Sequence, residues 1–137
     1  MYKFLHTSDS WSPLFVRGAL GLVMFVHGLQ KIGFIGDGNV TGVLQFLTGL
    51  GIPTFIAYLV IVGELVGGAS LILGFATRFC AASIGIIMLG AVLIVHLPNG
   101  FFAGNGGYEF HILAIGMSIA LVLAGGGKLS VDRMLAK

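Results

Sequence analysis

Charged side chains are scarce in this sequence. They make up 9% of its 137 residues, whereas a soluble globular domain carries about 25%. The net charge of +2 gives no basic footprint for nucleic acid. Cysteine is almost absent as well, because Cys80 stands alone and excludes an intramolecular disulfide or a Cys-x-x-Cys redox pair. If the protein moves electrons, its own thiols are not the carrier.

Apolar residues, by contrast, are abundant. They account for 57% of the chain, and the mean hydropathy is +1.05. Four apolar stretches, at about 14–32, 53–75, 79–97 and 108–123, can each cross a hydrocarbon layer of roughly 30 Å as a helix, the last only with little tilt or in a thinned bilayer. The sequence therefore predicts one all-α domain over residues 1–137, an integral membrane four-helix bundle in contact with the lipid bilayer.

The few cations are distributed unevenly between the two sides of this predicted bundle. The link Ala76-Thr77-Arg78 is so short that the second and third stretches must be antiparallel neighbours. An even number of spans places both termini on the side of that link, opposite to Lys31. The cations on that side are Lys3, Arg17, Arg78, Lys128, Arg133 and Lys137. This asymmetry predicts that both termini are cytoplasmic.

The connection 33–52 between the first two stretches contains a helical pattern. Its apolar residues recur at i, i+3, i+4 and i+7, and Asn39 or Thr41 can cap the first turn. These apolar residues are Val40, Val43, Leu44 and Leu47. The pattern predicts a short amphipathic helix on the outer surface, lying over the bundle as a lid. An ordered loop is the alternative.

Glu64 lies in the middle of the longest apolar stretch. An ionisable side chain near the bilayer midplane costs on the order of 2.5–3.5 kcal/mol on insertion scales. Such a group normally faces inward, towards a partner, a proton path or a ligand. Gly67 and Gly68 share its helix face and let another backbone come close. We therefore expect Glu64 to be the deepest polar group of an internal pocket.

Other polar groups converge on the outer end of the predicted bundle, above Glu64. His27, Gln30 and Lys31 end the first stretch, His96 ends the third, and Glu109 and His111 begin the fourth. Together they predict an outward-facing pocket.

Each of these residues also has a purely structural interpretation. Glu64 can be an inert hydrogen-bonding acid and His27 a neutral core histidine, while Lys31, His96 and His111 can lie at the membrane interface. Arg17 and Arg78, at the cytoplasmic end, are expected to extend to lipid headgroups.

Three kinds of function suit such a pocket. A quinone or quinol site needs an apolar slot, donors at the carbonyl oxygens and groups that pass protons to water. A His and Glu metal site would suit Cu or Zn, although no two histidines here form an HxxxH or HExxH pair. A non-catalytic membrane scaffold or small-solute transport bundle would use the polar groups to hold its helices in register.

Three segments carry a family resemblance. RGALGLVMFVHGLQK (17–31), GELVGGASLILGFATR (63–78), and GYEFHILAIG (107–116) with GGGKLSVDR (125–133) resemble the DoxX family of small bacterial four-helix membrane proteins. The resemblance implies a bundle in the bacterial inner membrane that acts in some members as the membrane subunit of an oxidoreductase with a soluble partner chain. It leaves open a homo-oligomer.

We therefore predict a membrane subunit of an oxidoreductase system with a quinone-interacting pocket and no covalent cofactor. Glu64 and His27 would handle protons, Lys31 and Glu109 would gate or orient the ligand, and Arg17 would be an anchor on the cytoplasmic side. The predicted ligand-binding residues are Arg17, Lys31, His96, Glu109 and His111.

Overall fold

The computed structural model describes residues 5–137, which form helices and turns and no strand. This confirms the all-α prediction for that part of the chain. The α-helices, in chain order, are α1 (Ser12–Lys31), α2 (Val40–Gly49), α3 (Thr54–Leu73), α4 (Thr77–Ala91), α5 (Glu109–Ala124) and α6 (Val131–Leu135). A π-helical turn (Val92–His96) and a 3₁₀ turn (Leu97–Asn99) extend α4, and a second 3₁₀ turn (Ala103–Asn105) precedes α5.

Three helical segments of residues 5–137 are long and apolar enough to cross a membrane. They are Ser12–Lys31, Thr54–Leu73 and the continuous segment Thr77–Asn99. The protein is therefore a membrane protein with several apolar helices. The predicted fourth span, 108–123, corresponds to α5, whose 16 residues make it shorter than the other three.

Glycines allow α1 and α3 to pack closely. A Cβ atom on Gly28 would lie 2.6 Å from Leu65 Cα, and one on Gly21 would lie 2.8 Å from the carbonyl oxygen of Gly68. Small residues of this kind drive helix association in lipid, where the hydrophobic effect contributes little. α4 packs on α5 and α3, and α1 also contacts α5. The buried residues between them include Leu20, Met24, Leu71, Ile84, Met88 and Leu121.

Arg17 is buried at one end of these helices, with 1% of its surface exposed. Its guanidinium donates hydrogen bonds to the carbonyl oxygens of Leu71 (3.1 Å), Ile72 (2.5 Å), Gly126 (3.0 Å) and Leu129 (2.8 Å). The prediction that Arg17 extends to lipid headgroups is therefore wrong. The last carbonyls of a helix have no partner within it, and those of α3 offer the guanidinium acceptors that the bilayer lacks.

Asp132 fastens the C-terminal segment to the link between α3 and α4. Its carboxylate accepts hydrogen bonds from the backbone N–H groups of Ala76 (2.7 Å) and Thr77 (2.8 Å) at the start of α4. The Asp132 N–H donates to the carbonyl of Gly74 at 3.0 Å. A carboxylate is favourable at a helix N-terminus, where backbone N–H groups are unpaired. We call this arrangement of Arg17, Asp132 and their backbone partners the terminal lock.

The first of the described residues, from His6 to Ser10, bond to the same end of the molecule. The N–H of Ser8 donates to the carbonyl of Ala124 at 2.9 Å, and the N–H of Lys128 donates to Ser10 at 3.0 Å. Arg78 donates to the carbonyl of His6 at 3.0 Å. Both described terminal segments and the α3–α4 link thus lie at one end. The cytoplasmic location of that end remains a prediction, and Lys3, one of its predicted cations, lies outside the described residues.

Candidate functional site

A cavity of about 750 Å³ lies at the end of the helices opposite the terminal lock. Its volume is typical of sites for small molecules. Most of its lining is apolar: α3, α4 and the π-helical turn supply eight apolar side chains, and α2 contributes Val43, Phe46 and Leu47. The predicted helix in the 33–52 connection is confirmed as α2, and the loop alternative is wrong. Asn39 caps α2 by accepting a hydrogen bond from the N–H of Gly42 at 2.7 Å.

Lys31 and Glu64 form an ion pair in the cavity lining. Lys31 Nζ lies 2.5 Å from Glu64 Oε2, and the two side chains are 25% and 6% exposed. Lys31 is the last residue of α1. The close approach of Gly28 to Leu65 brings that end of α1 against the middle of α3. A buried carboxylate needs such a counter-charge, since desolvation of an unpaired ion costs several kcal/mol.

Three histidines and one phenylalanine form a continuous row along the cavity. The ring centroids are 6.0 Å apart for His27 and Phe110, 5.4 Å for Phe110 and His111, and 4.1 Å for His111 and His96. All four residues line the cavity. We call them the aromatic row. It joins α1, α5 and the π-helical turn, and it places imidazoles from all three elements on one cavity.

The imidazoles in this row differ in their hydrogen bonding. His96 Nδ1 lies 2.7 Å from the carbonyl oxygen of Gly106, so Nδ1 carries the proton that is donated. His96 Nε2 is then an acceptor when the ring is neutral. His111 Nδ1 is buried and has no partner among the described residues. A buried polar atom without a partner is uncommon.

The π-helical turn lies directly before Pro98 and has a consequence for this wall. The N–H of Leu97 bonds to the carbonyl of Val92, five residues back, and Pro98, which lacks an N–H, cannot continue the α-helical ladder. The wider turn changes the direction of the side chains after Ala91, and His96 then faces His111. Single π-helical turns occur frequently at functional sites.

The structure brings five of the seven predicted site residues together. These are His27, Lys31, Glu64, His96 and His111. Arg17 belongs to the terminal lock. Glu109 accepts a hydrogen bond from the N–H of Ala103 at 2.9 Å and so holds the loop before α5. Asp37 and Asn39 also line the cavity. Their position directly before the amphipathic helix was the sequence signal that could have identified them.

The metal alternative has little support from this geometry. Within residues 5–137, no group of three or more His, Cys, Asp or Glu side chains is close enough to hold a metal ion. What the cavity offers is an ion pair that can orient a polar head, imidazoles that can accept or donate protons, and an extended apolar wall.

Comparisons with known proteins find one family and several relatives, two of which are named membrane proteins. The family model DoxX matches residues 12–97. "Putative oxidoreductase CatD" of Bacillus subtilis is 36% identical over 133 residues, which cover 97% of this chain and 93% of that protein. "Uncharacterized membrane protein Rv3486" of Mycobacterium tuberculosis is 32% identical over 150 residues, 98% and 88% of the two chains. "Inner membrane protein YqjF" of Escherichia coli is 32% identical over 123 residues, which cover 84% of this chain and 92% of that protein. No solved structure matches.

Proposed function

Because the chain belongs to the DoxX family of membrane proteins, we propose that it is the membrane subunit of an oxidoreductase system and binds a quinone or quinol in its cavity. One relative that covers nearly the whole chain carries the name "Putative oxidoreductase CatD". In this proposal the protein is a four-span bundle of the bacterial inner membrane with both termini cytoplasmic and the cavity towards the outer face. A soluble partner chain supplies or accepts the electrons.

The observation that carries this proposal is the Lys31–Glu64 pair beside an apolar cavity. A quinone ring is flat and apolar, and its two carbonyl oxygens need hydrogen-bond donors. The Lys31 ammonium has three N–H donors, and its bond to Glu64 uses one of them. The remaining donors are free to bind a carbonyl oxygen and orient the ring. A helix scaffold needs no cavity of this size next to its ion pair.

Proton transfer is the second requirement of quinone chemistry. Reduction of the ring to a quinol takes up two electrons and two protons, and oxidation releases them. Glu64 and His27 are the proposed proton-handling groups, because both line the cavity and both can accept a proton. His96 and His111 contact the ligand in this proposal, and Lys31 orients it. Arg17 serves as the structural anchor of the opposite end.

Quinone content and quinone binding test this function. Protein purified in mild detergent is extracted and its quinone quantified, and binding of added dimethylnaphthoquinone is then measured in nanodiscs by native mass spectrometry. We expect Glu64→Gln and Lys31→Met to weaken binding at least tenfold, because each removes one member of the orienting pair.

Asp9→Asn is the matched charge-neutralising control. Asp9 is exposed, pairs with Arg133 at 2.8 Å and belongs to the opposite end of the molecule. Absence of both retained and added quinone, or wild-type binding by both cavity variants, would refute the proposal. Capture of a soluble partner that is insensitive to Glu64→Gln would then favour the scaffold alternative.

A further inference from the structure

The helices α3 and α4, which both line the cavity, are in contact at Gly67 and Gly63 and move apart towards the N-terminus of α3. A Cβ atom on Gly67 would lie 3.5 Å from Ile84 Cδ1, and one on Gly63 would lie 2.6 Å from Ile87 Cδ1. The helices are therefore in contact at these two levels. One and two turns further along the same stripe of α3, Val60 and Ile56 line the cavity. Beyond Gly63 this face of α3 borders open space.

The cavity also extends around the outer side of α4. Ile84 is fully buried and Met88 nearly so, and both belong to the packed face of the helix. Ile86 lies two residues from each of them, about 200° around the helix. It is 71% exposed, yet it lines the cavity, as does Gly90. A hypothetical Cβ atom on Gly90 has no neighbour within 4 Å. Residues on opposite sides of one helix can line one cavity only where that cavity reaches the lateral surface.

We call this opening the α3–α4 cleft and define it by Ile56, Val60, Ile86, Gly90 and Ile94. All five lack polar side-chain atoms and line the cavity. Ile56 and Val60 belong to a candidate membrane span, and so do Ile86, Gly90 and Ile94. The cleft therefore opens onto the hydrocarbon of the bilayer. Lys31, Glu64, His96 and His111 line the same cavity as the cleft.

We infer that the natural ligand is a lipid-borne amphiphile, a polar ring that carries an isoprenoid or alkyl chain, which enters sideways from the bilayer through the α3–α4 cleft. Its ring contacts Lys31 and Glu64, and its chain leaves between α3 and α4. The inference rests on the proposed function for the identity of the ring. A water-soluble ligand would leave this wholly apolar opening without a purpose.

The chain of such a ligand contributes orientation more than affinity. Lipid tails are as apolar as the cleft, so moving the chain from bilayer to cleft gains little hydrophobic free energy. The bilayer instead concentrates the molecule and presents it to the cleft. Obstruction of the cleft should therefore exclude chain-bearing molecules and spare a ring without a chain.

Three probes and two cleft variants test this inference. The probes are dimethylnaphthoquinone, which has no chain, menaquinone-4, which has the same ring system with a short isoprenoid chain, and geranylgeraniol, which is a chain without the ring. Binding is measured in nanodiscs by native mass spectrometry and expressed per mole of lipid. The variants are Gly90→Trp and, should it not fold, Ile86→Trp. Gly116→Trp is the control, because a Cβ there also has no neighbour within 4 Å and Gly116 does not line the cavity.

We expect the cleft variants to weaken menaquinone-4 binding at least tenfold and to change dimethylnaphthoquinone binding less than threefold. The control variant Gly116→Trp should bind both quinones as the wild-type protein does. Equal loss of both quinones, or no loss of either, would overturn the lateral entry. If both quinones bind the wild-type protein and bind both cleft variants equally well, the proposed function survives and the cleft inference fails. If only geranylgeraniol binds and is lost in the variants, the cleft inference survives and the quinone function fails.

Discussion

The Lys31–Glu64 pair should be energetically asymmetric. Removal of one partner from a buried pair costs about 3–5 kcal/mol, whereas exposed pairs contribute about 0–1 kcal/mol. Glu64 is 6% exposed in the middle of α3, and Lys31 is 25% exposed at the end of α1. Lys31→Met leaves a carboxylate buried without a counter-charge, and we expect a loss of about 3 kcal/mol. Glu64→Gln leaves an ammonium on a flexible stem that can turn towards water, and we expect a loss of about 1 kcal/mol.

The double variant decides whether the two side chains act as a pair. Lys31→Met with Glu64→Gln removes both charges and should be no less stable than Glu64→Gln alone, which corresponds to a coupling energy of about 3 kcal/mol. The assay is urea unfolding in detergent micelles, followed by far-UV circular dichroism and by the fluorescence of Trp11, the single tryptophan. Asp9→Asn is the control for a lost surface charge. If Glu64→Gln costs as much as Lys31→Met, or if the double variant loses the sum of both, the reasoning is wrong.

The same unfolding assay checks three further predictions. Arg17→Lys should cost about 3 kcal/mol, because a single ammonium cannot reach four separate carbonyls; wild-type stability would contradict this. Asp132→Asn should cost about 2 kcal/mol, because the amide offers one acceptor oxygen for two N–H groups; unchanged hydrogen exchange at the start of α4 would argue against it. Gly28→Ala should cost about 1–3 kcal/mol through its clash with Leu65, while Gly116→Ala, in open space, should not destabilise; equal effects would exclude close α1–α3 packing as the cause.

Much of the candidate site was predictable from local patterns. Glu64 was identified by its position in an apolar stretch, and the helix α2 by its apolar spacing and its Asn39 cap. His96 and His111 were placed at one end by counting spans. Their stacking at 4.1 Å depends on a π-helical turn that no periodicity indicates. Glu109 was assigned to the pocket because it lies at the same level, but its carboxylate bonds to a backbone N–H in its own loop.

The sequence by itself determined the class of this protein. Hydrophobicity and helical period are properties of neighbouring residues, so scarce charge and long apolar stretches were enough to indicate a helical membrane protein and to mark Glu64 as exceptional. Only the tertiary structure decided which groups the buried charged side chains bond to. Arg17 and Lys31 share a helix face but lie about 21 Å apart along its axis. The close approach of α1 to α3 brings Lys31 to Glu64, and Arg17 donates to the carbonyls of Leu71 and Ile72 at the opposite end of α3. Such pairings depend on where two helices meet, and no local pattern records that.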